Sequence, residues 1–362
     1  MNRLSANPTV DRRTLLRTAA AVAGATALTT GCAPLAVPDG ALSAGQAPAI
    51  APEREPRTVT GASTARVAFV KSDDRAEGVR RALALFAPPD VAGKRVLLKP
   101  NFNSADPPPG STHPAVLRTV IEQLQAGGAA QITIADRSGM GNTAAVMRQL
   151  GVPELAAELG CATLVLDDLP ADEWVMVNAA ESHWSRGFPL ARCCVDADAL
   201  VQLCCLKTHR FGGHFTLSLK NSVGLVAKHR PGDSHNYMGE LHSSPHQRRM
   251  IAEINAAYQP ALVVLDGVDA FVTGGPDRGE LVHPGVVLAG TDRVALDAVG
   301  VALLRYFGTT PEVSRGAIFA QEQIARAVEL GVGVDGPEKI ELATDDAASA
   351  EFAAEIRALL DA

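Results

Sequence analysis

Four largely apolar runs in this sequence, at 96–98, 132–135, 200–206 and 261–265, end in residues able to do chemistry: Lys99-Pro100-Asn101, Asp136, Lys207-Thr208-His209 and Asp266-Gly267. The stretch LKTHRFGGHFTLSLKNSVGLVAK at 206–228 adds His214, Lys220, Asn221 and Lys228. Crowded lysines depress one another's pKa, and an imidazole among them can act as acid or base near neutral pH. Lys99, Lys207 and Lys220 together suit a small anionic ligand, a carboxylate or phosphate, with Asn101, His113 and Asn221 as further binding groups. His209, Lys220 and Asp266 are the candidates for acid–base work. Asn221 is expected to open a helix containing Gly224, whose first N–H groups would face the anion. His113 is expected at the same crevice, with Thr112 capping the next helix and Pro114 in its first turn.

Other polar clusters carry weaker chemistry. His235, His242 and His246 lie in a polar stretch near Glu240, and imidazole with carboxylate can hold a divalent metal. His209 and His242, with Asp266 or Asp297, form the expected ligand set for such a metal; no HExxH spacing supports it, and a solvated loop is the simpler reading. The cysteines are Cys32, Cys161 and the adjacent pairs Cys193-Cys194 and Cys204-Cys205. Neighbours on a strand point to opposite faces, so these pairs do not converge on an iron–sulfur cage, and small buried thiols pack well. The Gly-rich run at 274–279 contains no GxGxxG, and the chain contains no GxxxxGK and no GxSxG, which disfavours nucleotide binding through those loops and an α/β-type serine hydrolase. The run at 274–279, GGPDRG, reads as a tight turn between two short strands, bordering the site.

Elements that could position these residues alternate along the chain. Strand candidates at 67–70, 96–98, 132–135, 161–166, 174–177, 200–206, 261–265 and 286–289 are interleaved with amphipathic helices, such as the one carrying Val116, Leu117, Val120, Ile121 and Leu124. That pattern predicts an α/β fold, a mostly parallel sheet with helices on both faces and Rossmann-like layering. Open sheets of this kind bind ligands beyond the carboxyl ends of their strands, where the polar residues above are expected to meet.

The signatures Lys99-Pro100-Asn101, Thr112-His113-Pro114, Lys207-Thr208-His209, Ser218-Leu219-Lys220-Asn221 with Gly224, Asp266-Gly267, Gly275-Pro276 with Gly279, and Asp292-Arg293-Val294-Ala295-Leu296-Asp297 run in order between about residue 66 and about residue 308. Together they resemble the family known as domain of unknown function 362. The resemblance implies an iron–sulfur redox protein by analogy with members carrying ferredoxin-like modules in CxxC spacing; this chain lacks those modules.

The segment Asp11-Arg12-Arg13-Thr14-Leu15-Leu16-Arg17, followed by an Ala-rich run to Leu28 and then Gly31-Cys32, resembles a twin-arginine export signal ending in a lipidation site at Cys32. The apolar run is about half of a ~20-residue membrane span. Residues 33–65, with five prolines and no helical or strand period, read as a flexible tether. The expected organisation is therefore a signal at 1–32, a tether at 33–65 and an α/β domain at 66–362, exported to the periplasm or cell surface and anchored in the membrane through Cys32. Formal charge is −7 over 362 residues and aromatics are only 4%, which argues against nucleic acid as a partner. Two readings of function follow: an enzyme acting on an anionic substrate, or a tethered module that binds an anionic solute without chemistry.

Overall fold

The computed structural model describes residues 64–86, 89–179 and 181–362. The expected signal (1–32) and tether (33–65), apart from residues 64 and 65, lie outside the described residues. The strands in chain order are β1 (Ala65–Lys71), β2 (Arg95–Lys99), β3 (Gln131–Asp136), β4 (Ala162–Val165), β5 (Trp174–Val177), β6 (Phe188–Ala191), β7 (Ala199–His209), β8 (His214–Thr216), β9 (Leu262–Gly274), β10 (Gly279–Val282), β11 (Val286–Gly290) and β12 (Ile340–Ala343). Ten of them form one sheet with the path β12-β1-β11-β9-β7-β2-β3-β4; β10 pairs with β9, β8 with β7, and β5 with β6 separately.

Along that path β11 alone is antiparallel to its neighbours, so the other seven strands point the same way. The sheet is mixed but mostly parallel, and the α/β expectation holds. All eleven residues of the central strand β7 are buried, the near-continuous run demanded of a strand covered on both faces. Alternating residues feed two cores. Phe69, Leu206, Leu265 and Leu288 pack beneath the helices Arg293–Tyr306 and Ala347–Leu360. Val70, Leu98, Val201 and Val264 pack beneath α1 (Arg75–Leu85) and α2 (Pro114–Ala126), whose Val116, Leu117, Val120, Ile121 and Leu124 are buried at helical spacing.

Two expectations change. The run expected to stop at Asp266-Gly267 continues as β9 to Gly274, because the pairing with β7 jumps from Cys205–Asp266 to Leu206–Ala270 and leaves Gly267, Val268 and Asp269 as a bulge. Beyond it the GGPDRG segment forms the β9–β10 turn, as expected. Gly275 sits there at φ +61°, where a Cβ would lie 1.9 Å from the carbonyl oxygen of Thr208. The second change concerns Cys193 and Cys194, which lie on a short helix (Cys193–Asp196) and not on a strand.

Candidate functional site

The parallel strands β2, β3 and β7 carry their polar ends to one rim. Lys99, last in β2, meets Asp136, last in β3, in a buried ion pair of 2.7 Å, with side-chain exposures of 1% and 2%. Asp136 also accepts from the backbone N–H of Phe102 and of Arg137, both at 2.7 Å. Lys99 donates to the Pro100 carbonyl at 2.5 Å and to Asn221 Oδ1 at 3.1 Å. Asn221 Oδ1 also accepts from Asn101 Nδ2 at 3.3 Å. Asn101 Oδ1 accepts from Lys207 Nζ at 2.9 Å, and Lys207 donates again to the Gly110 carbonyl at 2.6 Å. One network thus joins Lys99, Asn101, Lys207 and Asn221, and Lys207 is held in it by neutral acceptors alone. Burial lowers the pKa of both Lys99 and Lys207.

Beside this network lies a two-part cleft. Its inner part is narrow, about 40 Å³, and is lined by Lys99, Asn101, Asp136, Thr216, Asn221 and Gly224 among others; its outer part, about 380 Å³, is lined by His209, Phe211, Lys228, His229, Met238 and His242. Lys220, Arg137, Asn103, Gly139, Val223 and Pro276 line both. Lys220 stands at the junction, 8% exposed, with no hydrogen bond or carboxylate partner among the described residues. Burial, with the nearby cations Lys207 and Arg137, pushes its pKa down to about 7. Arg137 is equally enclosed and donates to the carbonyls of Val226, at 2.9 Å, and Val223. Burial lowers its pKa.

His209 is held well below the usual histidine range by burial and by Lys220, His242 and Lys207. Its Nδ1 accepts from the Gly213 N–H at 3.3 Å, so in the neutral ring the proton sits on Nε2. A Cβ on Gly213 would lie 2.8 Å from both His209 Nδ1 and Lys220 Cε, which places imidazole and amine against one stretch of backbone. Two buried polar atoms of the cleft wall, Asn103 Nδ2 and Thr216 Oγ1, have no partner among the described residues. At the mouth, Met140 and Phe211 are 41% and 48% exposed, an apolar lip over a cationic interior.

The sequence therefore brings Lys99, Asn101, Lys207, His209, Lys220 and Asn221 together, but several other expectations need correction. Asn221 ends the short helix Ser218–Asn221 and does not open it; its amide is spent on Lys99, Asn101 and the Leu203 carbonyl. Asp297 is fully buried beneath that helix and accepts from the N–H groups of Ser218, at 2.8 Å, and Leu219, at 3.0 Å, so neither it nor those donors are available to a metal or an anion. Burial raises its pKa to about 8. His242 lines the outer cleft away from Asp297, and no group of three or more His, Cys, Asp or Glu suited to a metal occurs among the described residues.

Asp266 and His113 lie outside the cleft. Arg75, first residue of α1, pairs with Asp266 at 2.9 Å and with Asp269 of the β9 bulge at 2.6 Å. His113 serves as the N-cap of α2, its Nδ1 accepting from Ala115 N–H at 3.0 Å, while Thr112 Oγ1 accepts instead from Asn101 N–H at 2.8 Å. Arg137, Asn103 and Thr216 are the cleft residues that sequence reasoning missed. Only Arg137 carried a signal, as the residue after a strand-end aspartate. The five described cysteines are free. Burial pushes the Cys205 thiol up to about 11 and raises Cys204 well above its ordinary value, which disfavours the thiolates a metal cluster needs.

Fold and cleft together define an α/β protein with a cationic pocket beyond the carboxyl ends of its strands. The chain belongs to the family described as domain of unknown function (DUF362), whose model matches residues 96–302. A thylakoid-associated protein of Synechocystis sp. is 28% identical over 216 residues, covering 59% of this chain and 64% of that relative; the chain thus spans less than two thirds of its length. Among solved structures, the lactate racemase apoprotein from Thermoanaerobacterium thermosaccharolyticum aligns with 68% of this chain and 58% of its own, at a TM-score of 0.43 and 15% identity.

Proposed function

We propose that the cleft binds a small anionic compound and that Lys220 and His209 act on it, which makes this an enzyme and not a passive carrier. The observation that carries the reading is the charge balance of the cleft and of the buried network beside it. Asp136 is already matched by Lys99, whereas Lys207 and Arg137 are bonded to neutral acceptors and Lys220 to nothing among the described residues. Two like charges at ~4 Å repel by about 4 kcal/mol at an effective dielectric near 20, so a bound anion removes a substantial penalty. A neutral His209 carrying its proton on Nε2 adds a hydrogen-bond donor beside the bound anion. The residues around Arg12-Arg13 and Cys32 support export and lipid anchoring of the same protein. Mass spectrometry of small molecules released from the purified folded protein tests the binding reading: a carboxylate or phosphate compound recovered near stoichiometry from wild type and depleted from Lys220→Met is expected. Equal recovery from both proteins would refute it.

A further inference from the structure

Lys220 differs from its two neighbouring lysines in kind. Lys99 and Lys207 are each fixed by two or more oxygen acceptors, whereas the amine of Lys220 ends at the junction of the two cleft parts with no acceptor. An amine that attacks carbon must be unprotonated and free to reorient, and an amine with no acceptor to hold its ammonium form meets both conditions. The wall around it supplies the other requirements. The Gly213 N–H takes Nδ1 of His209, and its Nε2–H has no partner among the described residues. Asn103 Nδ2 and Thr216 Oγ1 are likewise buried without partners among them, and Arg137 lines both parts of the cleft beside Lys220.

We propose that Lys220 forms a protonated imine with a small carbonyl compound that also bears a carboxylate, an oxo acid, in the anion cleft; this rests on the anion-binding reading given above. The lone pair of the neutral amine forms the C–N bond while the carbonyl π pair moves to oxygen, where the His209 Nε2–H donates a hydrogen bond. That oxygen takes one proton from the nitrogen and one from solvent and leaves as water. The nitrogen keeps its second proton and carries the positive charge of the C=N bond. The carboxylate of the oxo acid lies against Arg137 and the free donors of Asn103 and Thr216. An amine with its pKa near 7 is available for this step at neutral pH, where an ordinary lysine is protonated.

The test is reductive trapping. The protein is incubated separately with glyoxylate, pyruvate and 2-oxoglutarate, reduced with borohydride, and analysed by intact mass and peptide mapping. The same preparation is titrated with acetate and inorganic phosphate. One reduced adduct per chain on the peptide containing Lys220, about tenfold less at pH 6 than at pH 8 and absent from Lys220→Arg, is expected with at least one of the three acids. If acetate or phosphate binds but no oxo acid gives a Lys220 adduct, the imine is overturned and the anion site stands. If neither anion binds and no adduct forms, both fall. Adducts spread over several lysines and retained in Lys220→Arg also overturn the imine.

Discussion

At the scale of single residues, environment divides chemically identical side chains into different roles. Lys99 has a carboxylate, Lys207 has an amide and a carbonyl, and Lys220 has open cleft; only the last is left with a burial penalty that no bonded partner among the described residues offsets. That penalty has a pH signature. The ordinary lysine pKa is 10.5 and that of Lys220 is about 7, so between these values the unfolded chain binds a proton that the folded, ligand-free chain does not. Stability from this group is therefore fully present above about 10.5 and lost as pH falls towards 7. Lys220→Met is expected to flatten the rise of melting temperature across that window and to raise the melting temperature of ligand-free protein at pH 7. Parallel curves for the two proteins would show that Lys220 is not under strain. The lysine cluster was legible in the sequence because each member ends an apolar run or follows one closely. The exclusion of Asp266 was not, because its partner Arg75 stands 191 positions away at the start of a helix.

At the scale of elements, the cleft depends on close approaches that the strands and short helices make to one another. The single helical turn Ser218–Asn221 is anchored from below by Asp297 and leads into the tight turn at 222–225, which presses Gly224 onto the Lys99–Asp136 pair. A Cβ at Gly224 would lie 2.6 Å from Asp136 Oδ1 and 2.8 Å from Lys99 Nζ. Gly224→Ala is expected to lower stability by about 1–3 kcal/mol in denaturant titration and to weaken anion binding, since the ion pair must move. No change in either quantity would mean that the turn yields and the pair does not matter. Sequence periodicity identified the parallel strands and the helices between them, but misjudged this turn. Asn221 is a good cap by type, and its actual partners, Lys99, Asn101 and Leu203, are distant in sequence. The β9 bulge was likewise invisible, because its apolar neighbours read equally well as the end of a strand.

At the scale of the whole molecule, the proposal is of a catalytic α/β domain delivered across a membrane and held there. Arg12-Arg13 precede the Ala-rich run and Cys32 follows it. Changing both arginines to lysine is expected to leave full-length precursor in the cytoplasm, and Cys32→Ala to release the exported domain from the membrane fraction. Normal export of the first variant would refute the twin-arginine route, and unchanged membrane attachment of the second would refute lipidation.

The cleft itself is most directly tested by titration calorimetry of wild type and Lys220→Met with inorganic phosphate, acetate and pyruvate at pH 7. A cleft whose cations are offset by a ligand should bind at least one of these anions in wild type, with affinity at least tenfold weaker in Lys220→Met, a loss of about 1.4 kcal/mol or more. Equal affinity in the two proteins, or no binding of any of the three to wild type, would contradict the anion site around Lys220.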